Sequence, residues 1–253
     1  MPHSTAKISP LFRNRRAGIL LHPTSLPNQL TFSHRDIFGG KPVAQLHGNL
    51  GKDAYQFVDF LAQSGISLWQ MLPIGPTHAD LSPYQSVSSH AGNPELISID
   101  WLLHNGWAVE DETWADISPP EKLQSLRATC AKQFYQLIET EQGSYLRERL
   151  NEFCISNQYW LDDFVLFMAL RKYFDGLSWH QWPVALKKRE GEALAEYRDI
   201  LSNDISLYVF EQFAFNQQWQ ALRAYAKEHH VYLFGDIPIF VAHDSADVWA
   251  AQE

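Results

Sequence analysis

The chain has 253 residues, 45% hydrophobic and 13% aromatic, enough to bury a sizeable core and to exclude a disordered segment. A formal charge of −9 excludes the basic surface that nucleic acid and anionic membranes select, and so points to a neutral ligand. Nine tryptophans and ten tyrosines suit stacking on sugar rings, although core packing with polar tips at the surface accounts for most such residues.

The opening Met-Pro-His-Ser-Thr-Ala-Lys lacks the apolar core of a signal peptide, and no run approaches the ~20 apolar residues of a membrane span, so a cytoplasmic location is expected. Residues 1–16 are polar and basic and read as a loose lead-in. Ala17-Gly-Ile-Leu-Leu21 is a compact apolar run stopped by Pro23 and Pro27, the pattern of a first strand. From Asn28 to Gly51 no periodicity holds, and a long loop over a barrel mouth is expected.

Ala54, Phe57, Val58, Leu61 and Ala62 recur at helical spacing, predicting a helix over 53–64 with Gly65 as its left-handed stop. Ser67-Leu-Trp-Gln-Met-Leu72 follows as a second strand, closed by Pro73 and Pro76. Strand, helix and strand make a parallel unit with a right-handed crossover. The loop from Ile74 to Pro94 is long and polar. Its Tyr84 and Gln85, held by Pro83, are candidates to meet a sugar by ring contact and hydrogen bonds; the competing reading is a surface loop whose Ser and Asn satisfy turns.

Beyond Trp107 the pattern turns helical. Ser118-Pro-Pro-Glu121 is a capping box, followed on one face by Leu123, Leu126, Cys130, Phe134 and Leu137. Further helices are predicted over about 156–174 and 203–228, the latter with Phe215, Trp219, Leu222 and Ala226 in a stripe, and with a charged break at Lys187–Glu192 between them. The aromatic residues of this stretch are expected in the core. Cys130 and Cys154 read as reduced core thiols, and His229, His230 and His243 lack zinc-helix spacing, so neither a metal nor a cofactor is expected.

Val231-Tyr-Leu-Phe-Gly-Asp-Ile-Pro-Ile-Phe-Val-Ala-His-Asp244 then reads as a third strand, buried on both faces, that carries Asp236 and Asp244 to a rim and a helix start at Ser245. The fold class expected is α/β, a partial (β/α)8 TIM barrel made of its first three strands, with a large helical insertion between strands 2 and 3. The expected organisation is 1–16 lead-in, 17–108 first barrel part with substrate loops, 109–228 helical insertion, and 229–253 strand 3 with its rim loop. A whole barrel needs ~250 residues before insertions, at ~30 per strand-helix unit, so well over a hundred residues are expected after Glu253.

With these blocks assembled, the chain resembles the 4-alpha-glucanotransferases, also called amylomaltases or disproportionating enzymes, glycoside hydrolase family 77 of the alpha-amylase clan. The resemblance is carried by Gly18-Ile-Leu-Leu-His-Pro-Thr-Ser-Leu-Pro27, Trp69-Gln-Met-Leu-Pro-Ile-Gly-Pro-Thr77, Ser82-Pro-Tyr-Gln-Ser86 with Ala91-Gly-Asn-Pro94, and Gly235-Asp-Ile-Pro-Ile-Phe-Val-Ala-His-Asp-Ser-Ala-Asp-Val-Trp249. It implies transfer of an alpha-1,4-glucan segment from a maltooligosaccharide or glucan donor to a glucose or maltodextrin acceptor, with retention. Retention uses two carboxyl groups ~5 Å apart, one as nucleophile and one as acid/base. The family's Arg-x-Asp-His nucleophile motif and its later acid/base Glu do not occur here, so no catalytic residue is assigned and the chain alone is expected to be inactive.

What the resemblance implies for this chain is substrate binding by Tyr84 beside the sugar at the cleavage subsite, Ser82 as a hydrogen-bonding neighbour and Asp244 gripping hydroxyls. For Asp236 two roles stand open, sugar contact or anchoring of the rim loops. Two departures from the family pattern fall at Leu81, where an Asp usually precedes the Ser-Pro-Tyr block, and at Gly48-Asn-Leu-Gly51. Competing functions are an alpha-glucan hydrolase of the same clan, a non-catalytic glucan-binding product, and an unrelated barrel enzyme pairing Asp236 with Asp244 or Asp247.

Overall fold

The computed structural model describes residues 15–27, 47–110 and 122–252. Most of the lead-in, most of the 28–51 loop and the capping box at 118–121 lie outside the described residues. Three short parallel strands, β1 (Gly18–Leu20), β2 (Leu68–Gln70) and β3 (Tyr232–Phe234), form one sheet in the order β1-β2-β3. The register sets Gly18, Leu68 and Tyr232 abreast, then Ile19, Trp69 and Leu233, then Leu20, Gln70 and Phe234.

Alternation of side chains along a strand makes the middle row face one way and the outer two rows the other. Trp69 is fully buried in that middle row, and its indole N–H donates to the Leu21 carbonyl at 2.8 Å. On the opposite face Leu20, Tyr232 and Phe234 are exposed. The expectation of a third strand buried on both faces is therefore corrected: one face is covered, and over the other the described residues place only the Arg16 guanidinium, 4.8 Å from the Tyr232 ring centre, which leaves that row largely exposed.

The covered face packs against α1 (Lys52–Gln63), which buries Ala54, Val58 and Leu61. Gly65, at φ +70°, ends this helix as predicted: its N–H bonds to Ala62 and that of Ile66 reaches back to Leu61, the paired closure that only a left-handed residue permits. A short α2 (Ile99–His104) follows, and then the helical insertion begins. It contains α3 (Lys122–Ile138), α4 (Ser144–Tyr173), α5 (Val184–Lys187), α6 (Gly191–Ile200) and α7 (Ser202–Glu228), after which the chain returns to β3 and ends in α8 (Ala246–Ala250).

On α3 the predicted stripe holds from Leu123 to Phe134; Ile138 rather than Leu137 completes it, since four residues past Phe134 stays nearer the buried face. Helix α4 starts at Ser144, a dozen residues before the predicted start. The charged break at Lys187–Glu192 spans the end of α5 and the start of α6, two helices the sequence pattern did not reveal. Rings from three elements meet at the centre: Trp107 stacks on Phe213 at 5.1 Å, and Phe134 lies 5.2 Å from Phe210. No disulfide joins Cys130, which is buried, to Cys154, which is half-buried.

Two glutamines of α7 tie the insertion to the loop after β2. Gln212 accepts from the Gly92 N–H and donates to the Gly92 carbonyl, at 2.8 and 3.0 Å; Gln218 does the same for Ser98 at identical distances. Each side-chain amide thus satisfies buried backbone groups as a neighbouring strand would, at Gly92 and at Ser98. Trp249 of α8 is fully buried against Phe167 and Trp182, with its indole N–H on the Leu186 carbonyl at 3.0 Å. Removal of a ring so buried costs about 3–5 kcal/mol, and it is this ring that fastens the loop after β3 to the insertion.

Candidate functional site

The loops that leave the C-terminal ends of β1, β2 and β3 converge, as parallel strands require. After β1, His22 Nδ1 meets Thr24 Oγ1 at 2.7 Å and Nε2 meets the Pro73 carbonyl at 3.3 Å, which joins the first two loops. In the second loop Thr77 pairs with Ser86, and the Asp80 carboxylate accepts from the Ser82 N–H at 3.2 Å. Leu81 is exposed at 76% and sits at φ +57°, a conformation that costs a branched apolar residue about 1–2 kcal/mol and an Asp less. Its departure from the family pattern therefore falls on the most strained point of this loop.

This tight turn presents Tyr84, 48% exposed, at the rim. The Tyr84 hydroxyl donates to Asp236 Oδ2 at 3.0 Å, while Asp236 Oδ1 accepts from the Ile237 N–H at 2.9 Å. The hydrogen bond to a carboxylate pushes the Tyr84 phenol above its ordinary pKa. Through Asp236 these contacts join the second and third loops.

Asp244 is held from the insertion. Its Oδ2 receives Arg171 of α4 at 2.9 Å and its Oδ1 receives the Trp179 N–H at 3.2 Å. Arg171 also lies 3.4 Å from His78 Nδ1, and His78 is pushed below its ordinary pKa, first by burial and then by the Arg171 charge. Ser245 caps α8 by accepting from the Val248 N–H, and Asp247 accepts from the Ser89 N–H at 2.7 Å. The Ala246 N–H donates to the Val87 carbonyl, a further stitch between the second and third loops.

Ser82, Tyr84 and Asp244 line one cleft of about 770 Å³, together with His78, Gln85 and the Phe240–His243 segment. Asp236 does not line it but holds its Tyr84 wall. Among the described residues nothing hydrogen-bonds the Ser82 hydroxyl, and His78 Nε2 is buried without a protein partner. Sequence reasoning missed Arg171 and His78. Arg171 belongs to an unbroken helical pattern 73 residues before Asp244, and no local signal could have found it; His78 directly follows the Pro76-Thr77 block and was open to notice.

The cleft is walled by rings and offers hydroxyl, amide and carboxylate groups, and among the described residues no cluster of His, Cys, Asp and Glu is placed to hold a metal ion. Comparison with known proteins gives the family. Residues 44–253 match the family model described as 4-alpha-glucanotransferase, glycoside hydrolase family 77, and the chain belongs to that family. It is 39% identical over 247 residues to the 4-alpha-glucanotransferase of Synechocystis sp., covering 94% of this chain and 46% of the relative. Against the Thermus thermophilus 4-alpha-glucanotransferase the figures are 37% over 241 residues, 94% and 45%.

Amylomaltase from Streptococcus agalactiae, solved in complex with acarbose, superposes with a TM-score of 0.79 at 32% identity, over 94% of this chain and 46% of that one. The chain thus spans just under half the length of these relatives. No helix among the described residues is long and apolar enough to cross a membrane.

Proposed function

We propose that this chain supplies the sugar-gripping rim of a retaining 4-alpha-glucanotransferase, which moves alpha-1,4-glucan segments from a maltooligosaccharide or glucan donor to a glucose or maltodextrin acceptor. Tyr84 provides the ring beside the sugar at the cleavage subsite, Ser82 a hydroxyl, and Asp244 a carboxylate held for hydroxyl recognition by Arg171 and the Trp179 N–H. Asp236 orients Tyr84. The nucleophile and the acid/base belong to residues outside these 253. Residues 17–108 and 229–253 are then barrel segments, 109–228 an insertion and 1–16 a lead-in, acting in the cytoplasm.

The observation that carries this reading is that Ser82, Tyr84 and Asp244, taken from two distant sequence blocks, share one cleft at the C-terminal end of a parallel sheet. A second support is the largely exposed row Leu20, Tyr232 and Phe234, which is the row a closed barrel turns inward. Against an unrelated enzyme using Asp236 with Asp244 or Asp247 stands the engagement of each carboxylate by protein donors.

Maltotriose incubated with the chain alone should give no products. The complete polypeptide should give glucose and a ladder of longer maltodextrins; a steady rise in reducing ends without a ladder would assign hydrolysis instead.

A further inference from the structure

A second cleft, of about 350 Å³, opens between the loop after β2 and helices α4 and α7. Its mouth carries His90, Tyr159 and Trp160. Trp160 lies nearly parallel to His90, at 21° and 6.0 Å, and Tyr159 meets the His90 ring edge-on at 5.4 Å. Tyr159 is 74% exposed, although helix α4 otherwise buries most of its large apolar residues. This overturns, for Tyr159, the expectation that the aromatic residues of the insertion are core.

One of the three rings is tied to its own helix. The Trp160 indole N–H donates to Asn157 Oδ1 at 3.1 Å, and Asn157 Nδ2 donates in turn to the Phe153 carbonyl at 2.8 Å. Among the described residues neither the Tyr159 hydroxyl nor the His90 ring nitrogens have a hydrogen-bond partner. Among the described residues no lysine or arginine lines the cleft and Asp236 is the one carboxylate that does, so these residues disfavour an anion. Rings that offer a flat apolar face, with amide, hydroxyl and carboxylate groups beside them, are the chemistry that takes a pyranose.

Asp236 also marks the link to the first site, because the carboxylate on this cleft's wall is the one that accepts the Tyr84 hydroxyl. We infer that the His90–Tyr159–Trp160 cleft is a second carbohydrate-binding site, taking neutral alpha-glucan units remote from those at Tyr84. Glucan as the ligand rests on the proposed function; the location of the cleft does not.

The test is titration of the chain with maltotriose, followed by NMR of its indole N–H and backbone signals, with near-UV circular dichroism confirming that each variant is folded. Wild type should show two separable sets of shifts, one at Tyr84 and His243 and one at Trp160 and His90. Tyr159→Ala, a change at an exposed position, should weaken the second set at least about fivefold and spare the first, the scale of losing roughly 1 kcal/mol of ring contact. Trp160→Phe should do likewise, and Tyr84→Ala the reverse. Superimposable second-set titrations in Tyr159→Ala, Trp160→Phe and wild type, or no shifts at Trp160 and His90 at all, would overturn the inference. Loss of the Tyr84 response alone would count against the proposed function and leave this site standing.

Discussion

Tyr84 and Asp236 stand 152 positions apart in the chain, yet the phenol of one donates to the carboxylate of the other at 3.0 Å. The bond spans the loops after β2 and β3 and fixes the angle at which the Tyr84 ring faces the cleft. Tyr84→Phe keeps the ring and deletes the bond. Because the contact is exposed and screened by solvent, the loss should be small, about a two- to fivefold weaker affinity for maltotriose by NMR titration. An unchanged affinity would show that the ring needs no such guide.

Arg171 offers a sharper contrast. Arg171→Met removes the charge facing Asp244 and the donor near His78 while keeping most of the stem's packing. Both partners are about a quarter exposed, so solvent screening reduces the loss to about 1–2 kcal/mol, or a Tm lower by roughly 2–8 °C. Arg171→Lys should recover part of that stability. Equal melting temperatures for all three proteins would mean that Asp244 is held by the Trp179 N–H alone.

Gly92 tests the junction between loop and insertion. A Cβ at this position would lie 2.0 Å from the Phe215 ring, and the Gly92 peptide is the one Gln212 holds at both ends. Gly92→Ala should cost about 1–3 kcal/mol from overpacking, read as a lower Tm and faster amide exchange at Gly92. Adding Phe215→Leu should restore part of the loss, and a strictly additive double variant would contradict the clash.

Acid should act on a different cluster. Burial alone would raise the Glu95 carboxyl, but hydrogen bonds and charges from His47 and Arg127 outweigh it and bring the carboxyl down to about 2. A depressed folded-state pKa contributes stability that is present above the unfolded value, ~4.3, and is lost as pH falls through 2. His47 works in the other direction. It is raised by its Glu95 partner, so its share is present below ~6.5 and is lost as pH rises through the folded value. The Tm gap between wild type and Glu95→Gln should therefore peak near pH 5–6 and narrow on both sides, whereas a gap constant from pH 2 to 8 would contradict the pairing.

Much of this was legible in the residues themselves. Apolar runs located all three strands, and prolines closed the first two, since a proline cannot continue a strand and its signal is local. Gly65 marked the end of α1 for the same reason. The ends of α4 and α7 fall within a residue of the predicted 174 and 228, although Asp175 and His230 occupy the left-handed position where glycine is the usual marker; the start of α4 was the harder end, because no side chain caps it. Helices α5 and α6 were hidden by their shortness and charge.

The cleft was half legible. Tyr84, Ser82 and Asp244 come from blocks that a reader can see, but Arg171, which grips Asp244, sits in an ordinary helical run whose meaning depends on tertiary contact. The exposed sheet face escaped notice for a related reason: an apolar run says that a strand can be covered on both sides, not that it is.

The central claim is that one sugar is handled by Tyr84 and Asp244 together. The most direct measurement is of intermolecular nuclear Overhauser effects between acarbose and the isotope-labelled chain. Contacts from one and the same sugar ring to the Tyr84 ring protons and to the 242–244 backbone are expected. Contacts from that ring to only one of the two, or bound acarbose touching neither, would contradict the account.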